Sequence, residues 1–213
     1  MNNGMIKKTK PTTTFVSAKT QVNEVFMVSI FAFIAGFSTL VYETVWLRPL
    51  QIILGSTIYS SSLLLASFLA GFSMGSLFFC KKAENQKNSL RTFAFLEVMI
   101  GIAGIAIIIF LNNFPSLLQM KALKFVLMFF VFLVPSSMIG MTWPLINKIY
   151  VKGGGGKESG MIFFSNSLGA SFGAIMAGFI LVPFLGLSNT SIIASMANFA
   201  IAIVAFIISR RER

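Results

Sequence analysis

Six long apolar runs dominate this chain, near 25–47, 57–79, 92–111, 122–147, 160–185 and 187–209. Crossing ~30 Å of hydrocarbon as a helix takes about 20 residues. A segment that crosses in any other open form leaves backbone groups unsatisfied in lipid. The runs therefore predict an all-α membrane protein with six transmembrane helices. The expected membrane domain covers 25–209, between a disordered basic tail at 1–24 and a short basic end at 210–213. Only 11% of the 213 residues are charged, against roughly 25% in a soluble domain. That is too little polar surface to cover a water-facing globule, so the lipid bilayer is the expected surroundings.

Basic residues orient the runs. Fourteen Lys and Arg fall before run 1, after runs 2 and 4, and after run 6, whereas only Arg48, Lys121 and Lys124 fall on the opposite side. The positive-inside rule then places both termini in the cytoplasm of a multi-pass cell-membrane protein. An even number of spans demands the same. No short apolar stretch with a small-residue cleavage site follows the first tail, so no secretory signal is expected.

Composition removes several kinds of chemistry. Histidine and aspartate are absent, the six acids are all glutamates, and there is one cysteine. A zinc site draws on His, Cys and carboxylate ligands, and a Ser-His-Asp relay needs residues this chain lacks. No metal, no cofactor and no catalytic residue is expected. The net charge of +11 belongs to loops and tails that rest on anionic headgroups, and a nucleic-acid partner is not expected. Gly153 to Gly156 before Lys157 imitates a phosphate loop, but Val151 and Glu158 stand where Gly and Ser or Thr are required. The run reads as a flexible linker. Asn189-Thr190-Ser191 matches a glycosylation acceptor, but within a very short turn. Cys80 beside Lys81 and Lys82 reads as a small hydrophobe rather than an acylation site.

Polar residues inside the runs are the candidate functional ones. An ionised carboxylate at the bilayer centre costs at least ~2.5 kcal/mol, so Glu43 and Glu97 must each face a partner, a cavity or the interface. For Glu43 the alternatives are an interfacial pair with Arg48, with Trp46 in the aromatic belt, or a cation or proton site. For Glu97 they are a hydrogen bond to Asn166, Ser165 or a loop lysine, or a functional site. Small residues recur at four-residue spacing: Ser67, Gly71 and Gly75 in run 2, and Gly169 and Gly173, then Ala170, Ala174 and Gly178, in run 5. Such stripes let helix backbones approach closely, within the unit or against a second copy. Pro135 predicts a kink whose freed carbonyl Ser136 and Ser137 help to satisfy. Trp46 and Trp143 are 97 residues apart, and Gly71/Gly169 and Gly75/Gly173 are 98 apart. These spacings match two three-helix repeats, the second inverted.

The segment from Gly36 through Tyr42-Glu43-Thr44-Val45-Trp46-Leu47-Arg48, with Gly55-Ser56-Thr57 and Gly71-Phe72-Ser73-Met74-Gly75-Ser76, resembles the membrane region of spermidine synthase-like integral membrane proteins. Phe95-Leu96-Glu97-Val98-Met99-Ile100-Gly101, Pro135 to Pro144, and Asn166-Ser167-Leu168-Gly169-Ala170 extend the resemblance over about 26–208. It implies a six-helix unit like half of a major facilitator fold, in 3+3 repeats. The loop after run 2 departs from facilitators in lacking their Gly and Asp-Arg pattern. The aminopropyltransferase-like domain that such proteins carry after the helices has no residues before Arg213, so the synthase active site has none to land on. The expected function is a non-enzymatic membrane module that anchors, or passes substrate to, a separate aminopropyltransferase-like partner. The alternative is a small homodimeric transporter of a cation, polyamine or other solute. In that case helix 2 of one copy is expected to meet helix 5 of the other, through Gly71 and Gly75 on one side and Gly169, Gly173 and Gly178 on the other.

Overall fold

A computed structural model describes residues 13–113, 121–150 and 156–211, with side chains placed for 25–113, 122–149 and 156–210. The first twelve residues of the basic tail, the 114–120 connection and the glycine linker up to residue 155 lie outside the described residues. The described elements are all helical: α1 Thr13–Leu54, α2 Thr57–Glu84, α3 Ser89–Asn113, α4 Lys121–Tyr150, α5 Gly156–Met176, a π-helical turn Ala177–Leu181, and α6 Val182–Arg211. Helix α1 starts inside the segment expected to be a disordered tail. Residues 13–24 contain neither Gly nor Pro, and extending an existing helix needs no new nucleus.

Five helices are long and apolar enough to cross a membrane, and the fifth is a run of 55 residues, Gly156–Arg210. At 1.5 Å per residue such a run would measure roughly 80 Å, far more than one crossing needs. It is broken at Gly186, whose φ of 79° and ψ of 172° are not helical. This is a conformation that a Cβ would oppose. Neighbouring contacts show the chain reversing there. Gly169 and Gly173 of α5 lie on the backbone at Phe33 and Phe37, so α5 runs parallel to α1. Phe31 stacks on Phe93 at 5.9 Å and Tyr42 covers Gly104, so α3 is also parallel to α1. Beyond Gly186 the direction is opposite: Ser188 bonds Asn112, Ser191 bonds Gly104, and Asn88 bonds Ser209.

Two glycine seams hold the bundle. On α2, a Cβ at Gly71 would sit 2.6 Å from the Leu133 carbonyl oxygen, and one at Gly75 would strike the Ser137 backbone; from α4, Gly140 presses on Phe72. On α5, Gly169 and Gly173 press on Phe33 and Phe37, and from α1 Gly36 presses on Asn166. Each seam thus takes two glycines from one helix and one from the other. Small residues serve this role in lipid because dispersion contacts between close backbones replace a hydrophobic drive. Ser67 continues the α2 stripe, fully buried, its Oγ donating to the Leu64 carbonyl at 2.9 Å.

Helix α4 continues through Pro135 and Pro144. Ser136 and Ser137 donate to the Phe132 and Leu133 carbonyls at 2.7 and 2.8 Å. These are their own i−4 acceptors, not the Val131 carbonyl that Pro135 frees. The ends of the bundle differ in charge. Lys81, Lys82, Lys87, Arg91, Lys148, Lys157 and Arg210 gather where α2, α4 and α6 end and α3 and α5 begin, with Arg48 and Lys124 at the other end. Lys148 Nζ donates to the carbonyls of Ala83, Glu84 and Gln86 at 2.8, 2.8 and 2.6 Å, placing a cation on the carbonyl-rich end of α2.

Candidate functional site

The three central helices carry polar residues at helical spacing on the faces they turn to one another. On α6 these are Ser191, Ser195 and Asn198; on α3, Glu97 with Gly101 and Gly104; on α1, Tyr42 with Trp46. Residues four and three apart share a helix face, which is why each set points one way. The α3 glycines make the room: a Cβ at Gly104 would meet the Tyr42 ring, and one at Gly101 would lie 2.6 Å from the Phe199 ring.

A chain of hydroxyls crosses the cluster. Tyr42 Oη donates to Ser195 Oγ at 3.0 Å, and Ser195 Oγ donates to the Ser191 carbonyl at 3.0 Å. Ser191 Oγ donates to the Gly104 carbonyl at 2.9 Å. Next to this satisfied chain are two residues that are not satisfied. Glu97 is 1% exposed and its Oε2 has no hydrogen-bond partner; Asn198 is fully buried and neither Nδ2 nor Oδ1 has one. The antiparallel register of α3 and α6 puts Asn198 at the depth of Glu97. Glu97 also lies within electrostatic reach of Tyr42. It stands about 6 Å from the middle of α3 at 1.5 Å per residue. Each buried polar group left unpaired costs about 1–3 kcal/mol, so a purely structural carboxyl and amide here would be a persistent expense to folding. Chemically, the pair offers carboxyl and amide oxygens and an amide N–H, a set able to hold a proton, a small cation or a hydrogen-bonding solute.

The structure separates the residues that sequence grouped together. Glu43 is half-buried and makes no ion pair with Arg48, which is exposed. Five residues along a helix rotate by about 140° beyond a full turn, so the two side chains leave on different faces. The expected Glu43–Arg48 pair is therefore corrected. So is the interfacial Trp46: it is 2% exposed, stacked between Tyr42 at 5.3 Å and Phe132 at 5.6 Å, and its Nε1 has no hydrogen-bond partner. Trp143, its expected repeat mate, is half-buried and edge-on to Phe163 at 6.0 Å. Asn166 sits half-buried on the α1–α5 seam beside Gly36, and no hydrogen bond joins it or Ser165 to Glu97 Oε2. Gly71, Gly75, Gly169 and Gly173 are occupied within the chain, which corrects the surface assigned to them in a homodimer. Gly178 alone of these glycines is open, with nothing within 4 Å of a Cβ.

Tyr42, Ser195 and Asn198 were not singled out from sequence. Asn198 had a legible signal, an amide in the middle of an apolar run. Tyr42 and Ser195 gain their meaning only from a contact between residues 153 positions apart. Comparison with known protein families, curated proteins and solved structures gives no match to this chain.

Proposed function

We propose that the protein is a six-span membrane module, built like one half of a major facilitator and working together with a second polypeptide. The carrying observation is the pair of glycine seams. The α2 glycines and their α5 counterparts are 98 residues apart, and the backbones they press on, at 133 and 137 of α4 and 33 and 37 of α1, are 100 apart. α4 runs parallel to α2 and so against α1, as an inverted three-helix repeat requires. The break at Gly186 supplies the sixth span. The charge gathered at one end of the bundle supports a cytoplasmic location for that end and for both termini.

Half of such a pore encloses no path across the membrane. The resemblance to spermidine synthase-like membrane proteins supplies the partner in this reading: a separately encoded aminopropyltransferase-like protein that the module anchors or supplies with substrate. Topology is tested with cysteines in a Cys80→Ser background. Those in 114–120 should label from outside, and those in 151–155 only after permeabilisation; the reverse pattern overturns the orientation. The partner is tested by crosslinking native membranes and isolating the tagged chain. Recovery of a soluble aminopropyltransferase-fold protein supports the reading, and recovery of the chain alone opposes it.

Glu97 and Asn198 favour a second reading, transport of a cation, polyamine or other small solute by two copies of the unit. Intramembrane ionisable residues commonly mark solute or proton paths. Its test is uptake by proteoliposomes: Glu97→Gln should abolish uptake while leaving the unfolding midpoint near that of the parent. Unchanged uptake with lowered stability would leave Glu97 a structural residue.

A further inference from the structure

Toward the basic end the α1–α5 seam opens. Gly36 and Gly169 are the last glycines pressed between the two helices; beyond them α1 carries Phe26 and Ile30, with Phe33 level with Gly169, and α5 carries Met161 and Phe164. These bulky side chains wall a groove of about 520 Å³ that opens sideways from the bundle. The α1 side of the groove, residues 25–33, rises about 12 Å, the outer part of one leaflet.

Four polar side chains, those of Lys157, Glu158, Ser29 and Ser165, join these apolar walls. Lys157 and Glu158, in the first turn of α5, line its basic end, and Ser29 lines it about a turn in from residue 25. Lys157 is exposed. Glu158 Oε2 is buried and without a hydrogen-bond partner, and so is the Oγ of Ser29, a residue only 9% exposed. The groove therefore joins an apolar trough to a cation, an anion and two hydroxyls, with unused hydrogen-bonding capacity at Glu158 and Ser29.

We propose that this groove binds a phospholipid whose headgroup carries a primary amine. Its acyl chain lies along Ile30, Phe33, Met161 and Phe164. Its phosphate meets Lys157 at the start of α5, where a helix N-terminus favours an anion. Its ammonium donates to the Glu158 carboxylate, and Ser29 Oγ lies at the depth of the ester carbonyls. The alternatives fit less well. A glycerol headgroup offers hydroxyls to Glu158 but no positive charge, so the carboxylate gains only a neutral donor and the phosphate charge stays uncompensated beside it. A choline headgroup has no N–H to donate to it. The site rests on the membrane reading only in placing the basic helix ends among headgroups, and it is the same for either orientation. A failed topology test and a failed lipid test are therefore distinguishable.

The experiment uses the intact chain, stripped of lipid in detergent and equilibrated separately with phosphatidylethanolamine, phosphatidylglycerol or phosphatidylcholine, with bound lipid read by native mass spectrometry. The ethanolamine lipid should be retained about tenfold better than the other two, the worth of one hydrogen bond to a charged group. Glu158→Gln should erase that preference, and Ser29→Leu, which fills the groove, should lower retention of all three. Glu158→Gln keeps the size of the side chain in the first turn of a helix and carries the test if Ser29→Leu does not fold. Equal retention of the three lipids, preference for the glycerol lipid, or an unchanged preference in Glu158→Gln overturns the proposal.

Discussion

Gly71→Ala tests whether the seams set the stability of the bundle. The added Cβ would lie 2.6 Å from the Leu133 carbonyl oxygen and 2.7 Å from Ser136 Cβ, where ordinary contact begins at 3.4 Å. The first partner is backbone and the second is held by the Ser136 bond to Phe132, so neither moves independently of α4. The helices must part by most of an ångström. Overpacking of this kind costs about 1–3 kcal/mol, of which alanine's helix propensity returns up to about 1 kcal/mol. Because the contacts include backbone at Leu133 and Ser137, the upper half of that range, about 2–3 kcal/mol, applies, and the net loss is about 1–2 kcal/mol, a fall in unfolding midpoint of about 2–8 °C for a chain of this size. Gly169→Ala in the other seam should behave alike. Gly178→Ala, with nothing within 4 Å, should be neutral or mildly stabilising. The assay is thermal unfolding in detergent followed by tryptophan fluorescence, to which the buried Trp46 contributes. A Gly178→Ala loss as large as that of Gly71→Ala, or a neutral Gly71→Ala, would refute the seam argument.

The remaining predictions concern the central cluster and the break. Asn198→Leu removes an amide with no hydrogen-bond partner from full burial and should raise stability by about 1–3 kcal/mol; a loss of that size in chemical denaturation would mean that the amide is satisfied. Tyr42→Phe should cost about 0.5–1.5 kcal/mol, one neutral hydrogen bond, because Ser195 keeps its acceptor on Ser191; a larger loss would show that the hydroxyl chain acts as a unit. Gly186→Ala imposes a positive φ with an extended ψ on an alanine and should lower the midpoint by the equivalent of about 1–3 kcal/mol, whereas Gly160→Ala, in regular α5 with open space around it, should not.

Much of the helical architecture was legible because long apolar runs admit few other folds. Apolar length fixed where helices lie, and four-residue spacing of small residues identified faces that approach a backbone. The spacing did not say which backbone: Gly71 on α4 and Gly173 on α1 look the same in sequence as either facing a second copy. Glu97 stood out as a carboxyl inside an apolar run, and its burial is set by neighbours on other helices. Trp46 was misplaced because tryptophan near the end of a span usually sits at the interface. Its i−4 neighbour Tyr42 shares its face, and that face turns inward onto Phe132. Glu43 and Arg48 looked like a pair because they are close in sequence, but helical rotation sends them apart.

The crossed pairing of the seams bears on biosynthesis. α2 closes on α4, and α1 closes on α5, so neither seam can form among the first three helices alone. As the chain leaves the ribosome, Gly71 and Gly75 must wait for α4, and Phe33 and Phe37 for α5. The C-terminal end of α2 must likewise wait for Lys148. Until then the first three helices hold only their own contacts, such as Phe31 on Phe93 and Tyr42 over Gly104. The emergence of α4 closes the first seam and that of α5 the second, and α6 then packs on α3. A chain cut at the 114–120 connection should consequently yield two fragments that insert separately and are cleared quickly when expressed singly. Expressed together, they should protect each other from membrane proteolysis.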